Sequence, residues 1–148
     1  MPSLEASKTI YDSHLRHDFG GPLGCSLATI AELERRLDCK FPAAYREFLG
    51  WIGEHYDGPF CGSDCFPEHL EANNRLLPEL LAENHITFQL PPRFLAFFTH
   101  QGYIAVWFAL PATSDDPPVW IFNEGTTPQP VEGPNFSTWL FDELRRLF

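Results

Sequence analysis

"FFTHQGYIAVWFAL", residues 97–110, sets His100, Gln101 and Gly102 between two aromatic, β-prone runs. Its reading decides the fold. If His100–Gln101–Gly102 is a corner, the flanking runs are two strands of one hairpin. Gly102 can supply the positive φ such a corner needs, and His100 can hydrogen-bond a turn through either ring nitrogen. No serine- or cysteine-centred motif lies nearby in sequence to use His100 as a base. His100 is therefore read as structural.

Working outward, Phe94–Phe98 reads as a buried strand. Residues 103–110 alternate, with Ile104, Val106, Phe108 and Leu110 on one face and Tyr103, Ala105 and Trp107 on the other. "PATSDDPP" turns the chain, and "VWIF" (119–122) is a third strand closed by Asn123, Glu124 and Gly125. On the N-terminal side, Leu27, Ile30, Leu33 and Leu37 recur at helical spacing behind Ser26, a good N-cap; Thr29 with Glu32 is the alternative cap. Pro42 opens a second helix whose Tyr45, Phe48, Leu49 and Ile52 form one stripe. Residues 53–69 are a loop by composition, and residues 68–84 a further helix that Pro78 should kink or divide. Ser137 should cap a closing helix carrying Leu140, Phe141, Leu144, Leu147 and Phe148, with Phe136 and Phe141 as a hydrophobic staple. The expected class is α+β: an N-terminal helical hairpin and a further helix on a mainly antiparallel sheet, with a closing C-terminal helix. Residues 1–25 are read as an arm and 26–148 as a single domain.

The 148 residues carry 20 acids against 10 Lys and Arg, a net charge of -10. Such a chain repels phosphate backbones and anionic lipid, which disfavours nucleic acid and membrane surfaces as partners. The acids are grouped. Between Arg46 and Arg75 there is no Lys or Arg, but Glu47, Glu54, Asp57, Asp64, Glu68 and Glu71 occur. Between Arg93 and Arg145 there is again none, with Asp115, Asp116 and Glu124 among the acids. The N-terminus lacks a basic start followed by an apolar stretch, so a cytoplasmic protein with reduced thiols is expected.

Cys61, Cys65 and His69 are spaced at four-residue steps and form the best metal candidate, with His55 or another group needed as fourth ligand. Gly62 and Pro67 oppose the helix that would align them. Asp115 and Asp116 fit turn chemistry better than a calcium site or a hydrolase pair. Trp51, Trp107 and Trp120 are candidates for partner contact, with core packing as the other reading.

"IAELERRLDCKFPAAYREFLGWIG", "FLAFFTHQGYIAVWF" with "DDPPVWIFNEG", and "NFSTWLFDELRRL", in this order, resemble the SUKH superfamily (Smi/Knr-like proteins) over residues 26–148. Asp38 stands where members often have Gly, and "GEHYDG" where they often have a Gly-Gly pair. The resemblance implies a six-or-so-stranded α+β fold without catalytic machinery or cofactor. For bacterial members it implies immunity proteins that neutralise a cognate toxin, often a nuclease, and for fungal relatives regulatory interaction modules.

The resulting expectation is a non-enzymatic domain without bound metal, whose acidic, aromatic-bearing surface occludes the active site of a basic polymorphic toxin domain. The residues expected to make that contact are Trp51, Asp57, Asp64, Glu68, Asp115, Asp116 and Glu124. A regulatory scaffold module is the first alternative. A small zinc-dependent enzyme built on Cys61, Cys65 and His69 is the second.

Overall fold

The structure, a computed structural model, describes residues 4–148. The first three residues of the expected arm lie outside it. The arm itself is helical: α1 (Glu5–Ile10), a π turn (Tyr11–Leu15) and α2 (Arg16–Phe19) follow one another. Leu4, Tyr11 and Leu15 are buried in the same core as the rest of the chain, and α1 packs against the C-terminal helix.

The helical hairpin forms as expected. In α3 (Leu27–Leu37), Ser26 is the cap, its Oγ accepting from the Thr29 N–H at 3.1 Å. Asp38 ends the helix in the left-handed conformation, φ 49°, ψ 48°, taking the role a glycine often has. Glu34 accepts from the Phe41 N–H at 2.7 Å, which sets the turn into α4 (Ala43–Ile52). The stripe of α4 is buried throughout at Tyr45, Phe48, Leu49 and Ile52. The α3 stripe begins one turn later than its spacing suggests: Leu27 is 83% exposed, while Ile30 and Leu33 are buried.

After a short 3-10 turn (Pro67–His69), α5 (Leu70–Glu83) passes through Pro78 as one helix, so the proline does not divide it. Burial of Leu77, Leu80 and Leu81 against the sheet outweighs the local cost of the missing N–H.

Strands β1 (Phe94–His100), β2 (Ile104–Ala109), β3 (Pro118–Asn123) and β4 (Val131–Asn135) form an antiparallel meander in that order. His100–Gln101–Gly102 is indeed the corner. Gln101 and Gly102 have φ of 50° and 76°, and the Tyr103 N–H donates to the His100 carbonyl at 3.1 Å. His100 pairs with Ile104, so Gln101, Gly102 and Tyr103 form a three-residue connection whose positive φ values turn the chain. The sheet has four strands rather than the six or so implied by the resemblance. The fourth, Val131–Asn135, gives no sequence signal, because its Gly133 and Pro134 are tolerated only at a sheet edge. A Cβ at Gly133 would stand 3.0 Å from Ile121 Cδ1, so a larger residue there would make the Ile121 side chain shift.

Both sheet faces are covered. One carries Leu95, Phe97, Val106, Phe108 and Val119 toward α4 and α6 (Phe136–Arg145). The other carries Ala96, Ala105, Trp107 and Phe122 toward α5. A bulge between Ala96 and Phe98 places Phe97 and Phe98 in the same core.

The free edge of β1 is closed by Asn74 of α5 at Ala96 and by the Asp64 backbone at Thr99, with Asn73 of α5 bracing the second contact. Asn74 accepts from the Ala96 N–H at 2.9 Å and donates to the Ala96 carbonyl at 3.2 Å. Asn73 donates to the Asp64 carbonyl at 2.8 Å and accepts from the Thr99 hydroxyl at 3.0 Å. These contacts stand in for a fifth strand.

The start of α6 differs from expectation. The helix opens at Phe136, so Ser137 lies inside it and cannot be its cap, and Phe136 is too late to be half of a staple. Asp116 does the capping from 21 residues away: its carboxylate accepts from the Ser137 N–H at 2.9 Å and from the Ser137 hydroxyl at 2.5 Å. A negative charge at a helix N-terminus also complements the helix dipole.

Candidate functional site

The loop 53–69 is held at both ends and folded tightly between them. At its start the Glu54 N–H donates to the Leu23 carbonyl at 3.0 Å. His55 is buried there: its Nε2 donates to the Phe19 carbonyl at 2.9 Å, and its Nδ1 lies 3.2 Å from the Tyr11 hydroxyl. His55 therefore ties the N-terminal helices to the loop. Successive turns close from Gly58 to His55, Cys61 to Gly58 and Ser63 to Phe60. At the far end, Asp64 and Thr99 exchange backbone hydrogen bonds of 2.8 and 3.1 Å beside β1. Gly58 is required by close approach, since a Cβ would meet the His55 ring at 2.9 Å.

This loop brings together three of the expected contacts. Asp57, Asp64 and Glu68 are all exposed on it, along with the half-buried Glu54. It carries no Lys or Arg. Sequence reasoning missed its aromatic member, Tyr56, which is 46% exposed. The ring rests against Phe66 at 4.7 Å, and the hydroxyl donates to Glu68 Oε2 at 3.1 Å. Burial, with the Glu68 hydrogen bond and charge adding to it, pushes the Tyr56 hydroxyl up to about 12. Tyr56 is thus a neutral, pre-oriented ring beside carboxylates. Its signal was its place in a glycine- and acid-rich loop, where packing partners are few.

Trp51 is different. It is half-buried, and Tyr11 meets it edge-on at 5.6 Å, so the N-terminal helices cover it. Trp107 and Trp139 are buried and Trp120 is half-buried; none of the four indoles is bare.

The remaining acids lie elsewhere. Glu124 sits just past the end of β3 that pairs with Ile104, accepting from Asn84 Nδ2 at 3.3 Å. Asp115 and Asp116 are in the connection from β2 to β3, at the opposite end of the sheet. Asp116 is engaged with Ser137, as described. Asp115 lines an open cleft of about 1050 Å³ that also gathers Arg35, Lys40, Arg46 and Arg93. Glu34 and Asp38 line the same cleft, so its charge is mixed and it does not extend the acidic loop. The structure therefore divides the six acids between one acidic loop and two separate turns, and leaves Trp51 in α4.

The thiols do not assemble with the histidines. Cys65 is buried and Cys61 exposed, and His69 Nδ1 accepts from the Phe66 N–H at 3.3 Å. Among the described residues, no group of three or more His, Cys, Asp or Glu side chains is placed to hold a metal ion. Cys61, Cys65 and His69 are thus not gathered as a ligand set, and His55, the expected fourth ligand, is engaged by Phe19 and Tyr11. Burial pushes the Cys25 and Cys65 thiols up to about 12 and Cys39 to about 11. Iodoacetamide at neutral pH should then alkylate Cys61 first, leaving Cys25 and Cys65 unmodified until denaturant is added. Peptide mapping by mass spectrometry checks this; early labelling of Cys65 would contradict the packing of the loop.

Among the described residues, no helix is long and apolar enough to cross a membrane. Comparison with curated proteins finds no match. Comparison with protein families finds one, covering residues 24–142 and so taking in the helical hairpin, the acidic loop, the whole sheet and most of α6. With that span and this α+β arrangement, the chain belongs to the SMI1 / KNR4 family (SUKH-1).

Proposed function

We propose that this chain is a non-enzymatic immunity-type protein that neutralises a cognate toxin, with the loop 53–69 as its docking face. The carrying observation is Tyr56, exposed and held by Glu68 on a loop that bears Glu54, Asp57 and Asp64 and no Lys or Arg. The partner this face suits is a basic protein, such as a nuclease domain whose cationic groups serve to hold nucleic acid. Carboxylates steer the partner in, and the fixed ring supplies an anchor that loses little rotamer freedom on binding. Once seated, the loop occupies space that the partner's phosphate-binding groups need, so inhibition is by occlusion.

Stopped-flow association with a purified cognate toxin domain tests the reading. The association rate should fall by ~10-fold or more between low and physiological salt. The double variant Asp57→Asn/Glu68→Gln should flatten that slope, and Tyr56→Ala should act mainly on dissociation. A rate indifferent to salt, or unchanged by the double variant, would rule out this face.

A further inference from the structure

On the other side of the same loop lies a second, smaller concavity of about 500 Å³, within the ordinary range for ligand pockets. Its floor is the apolar face of the meander, with Ile104, Val106 and Ile121. Phe98 and Trp139 close one flank, their rings edge to face at 5.3 Å. Loop residues Pro59–Ser63 form a wall, where the Ser63 hydroxyl and His100 Nδ1 lie 3.0 Å apart. Opposite stand Asp142 and Glu143 of α6.

Glu143 is the group that gives this groove a chemistry. Its side chain is only 23% exposed, yet its ion partner, Arg146 at 3.0 Å, is 73% exposed. Arg146 is thus a solvent-screened partner for a carboxylate that has lost much of its own water. The physical consequence agrees with the geometry: burial raises the Glu143 carboxyl above its usual range, and Arg146 and His100 offset this only in part. An apolar trough ending at an under-compensated carboxylate matches a side chain with an aliphatic stem and a cationic head. A guanidinium suits it better than an ammonium, being planar, weakly hydrated and able to stack on Trp139 while bonding a carboxylate through two N–H groups.

We propose that the groove between α6 and the sheet is a seat for an arginine side chain of the basic protein partner, with Glu143 receiving the guanidinium. This rests on the basic-partner reading above and names the side chain that would anchor it. The stem would lie along Ile104 and Ile121, and the head would displace Arg146 from Glu143.

The test needs no partner. Nα-acetyl-arginine amide, Nα-acetyl-norleucine amide and Nα-acetyl-glutamate amide are titrated into 15N-labelled full-length chain and followed by NMR. The arginine compound should shift the Ile104, Ile121 and Asn123 amides and the Trp139 indole N–H, saturating at millimolar concentration. The norleucine compound should bind more weakly, and the glutamate compound should leave these signals unmoved.

Glu143→Gln should weaken the arginine compound by ~10-fold, the size expected for removing a charge-assisted hydrogen bond. The variant keeps its fold for a physical reason. A carboxyl with a raised folded-state pKa weakens the fold when ionised at neutral pH, and stability recovers as pH falls through that value. The Gln variant should therefore melt no lower than the parent. Equal shifts from all three compounds, or undiminished arginine binding by Glu143→Gln, would overturn the arginine seat while leaving the salt test of the acidic loop standing. Conversely, a salt-independent partner with intact arginine shifts would remove the acidic loop and keep the groove.

Discussion

Replacing Phe136 with alanine should lower the unfolding free energy by about 3–5 kcal/mol, the range for deleting a fully buried phenyl ring. Phe136 is wholly buried at the first position of α6. Five rings surround it: Tyr45, Phe48, Phe97, Phe108 and Trp139, at centroid distances of 5.4–5.8 Å. They come from α4, β1, β2 and α6, so no single element can collapse into the space left behind. A loss of this size is a large fraction of the roughly 5–15 kcal/mol that holds an ordinary domain together. Urea denaturation followed by tryptophan fluorescence measures it. Phe136→Leu keeps most of the volume and should cost markedly less. If alanine cost under about 1 kcal/mol, the ring cluster would not be the tight centre described here.

The second large effect is expected at Asn74, a residue with no role in the core. Its amide occupies both the N–H and the carbonyl of Ala96 on the open edge of β1. Asn74→Ala leaves those two groups without their protein partner, at about 1–3 kcal/mol for each polar group that water cannot reach. It also uncovers a strand edge on which another chain can pair. The variant should thus show a lower denaturation midpoint together with increased light scattering on storage. Asn74→Asp separates the two contributions: it keeps an acceptor for the Ala96 N–H but cannot donate to the Ala96 carbonyl, so an intermediate loss is expected. If the alanine variant matched the parent in both measurements, edge closure would lie elsewhere, with the neighbouring Asn73 the next place to look.

These two sites divide the chain's information in different ways. Phe136 could be counted as core from its place at the head of an amphipathic stretch. Asn74 could not. "NN" in the middle of a helix reads as solvated surface, and its partner lies 22 residues away across the loop before β1. The same division runs through the candidate site. The acids of residues 53–69 were visible as a run without bases, because adjacency along the chain is enough to keep them together. Asp115, Asp116 and Glu124 looked equivalent to them. Yet Asp116 caps α6, Asp115 lines a cleft of mixed charge, and Glu124 lies on the turn after β3, beside the His100 corner. Trp51 reads as a partner contact in the sequence, yet Tyr11 packs edge-on against it and leaves it half-buried, whereas Tyr56 is exposed.

What the sequence determined by itself is what acts over a few residues: the Ser26 cap, the α4 stripe, the His100–Gly102 corner, the alternation of β2 and the acidic character of one loop. Periodicity and turn chemistry are local, and they survive whatever the rest of the chain does. Only the tertiary structure decided that both sheet faces are covered, that Leu27 stays in water, that His55 ties down the N-terminal helices and that Glu143 overlooks an apolar trough. Each of these depends on which surfaces meet across long separations. Burial and charge compensation are properties of the assembled neighbourhood rather than of any residue type.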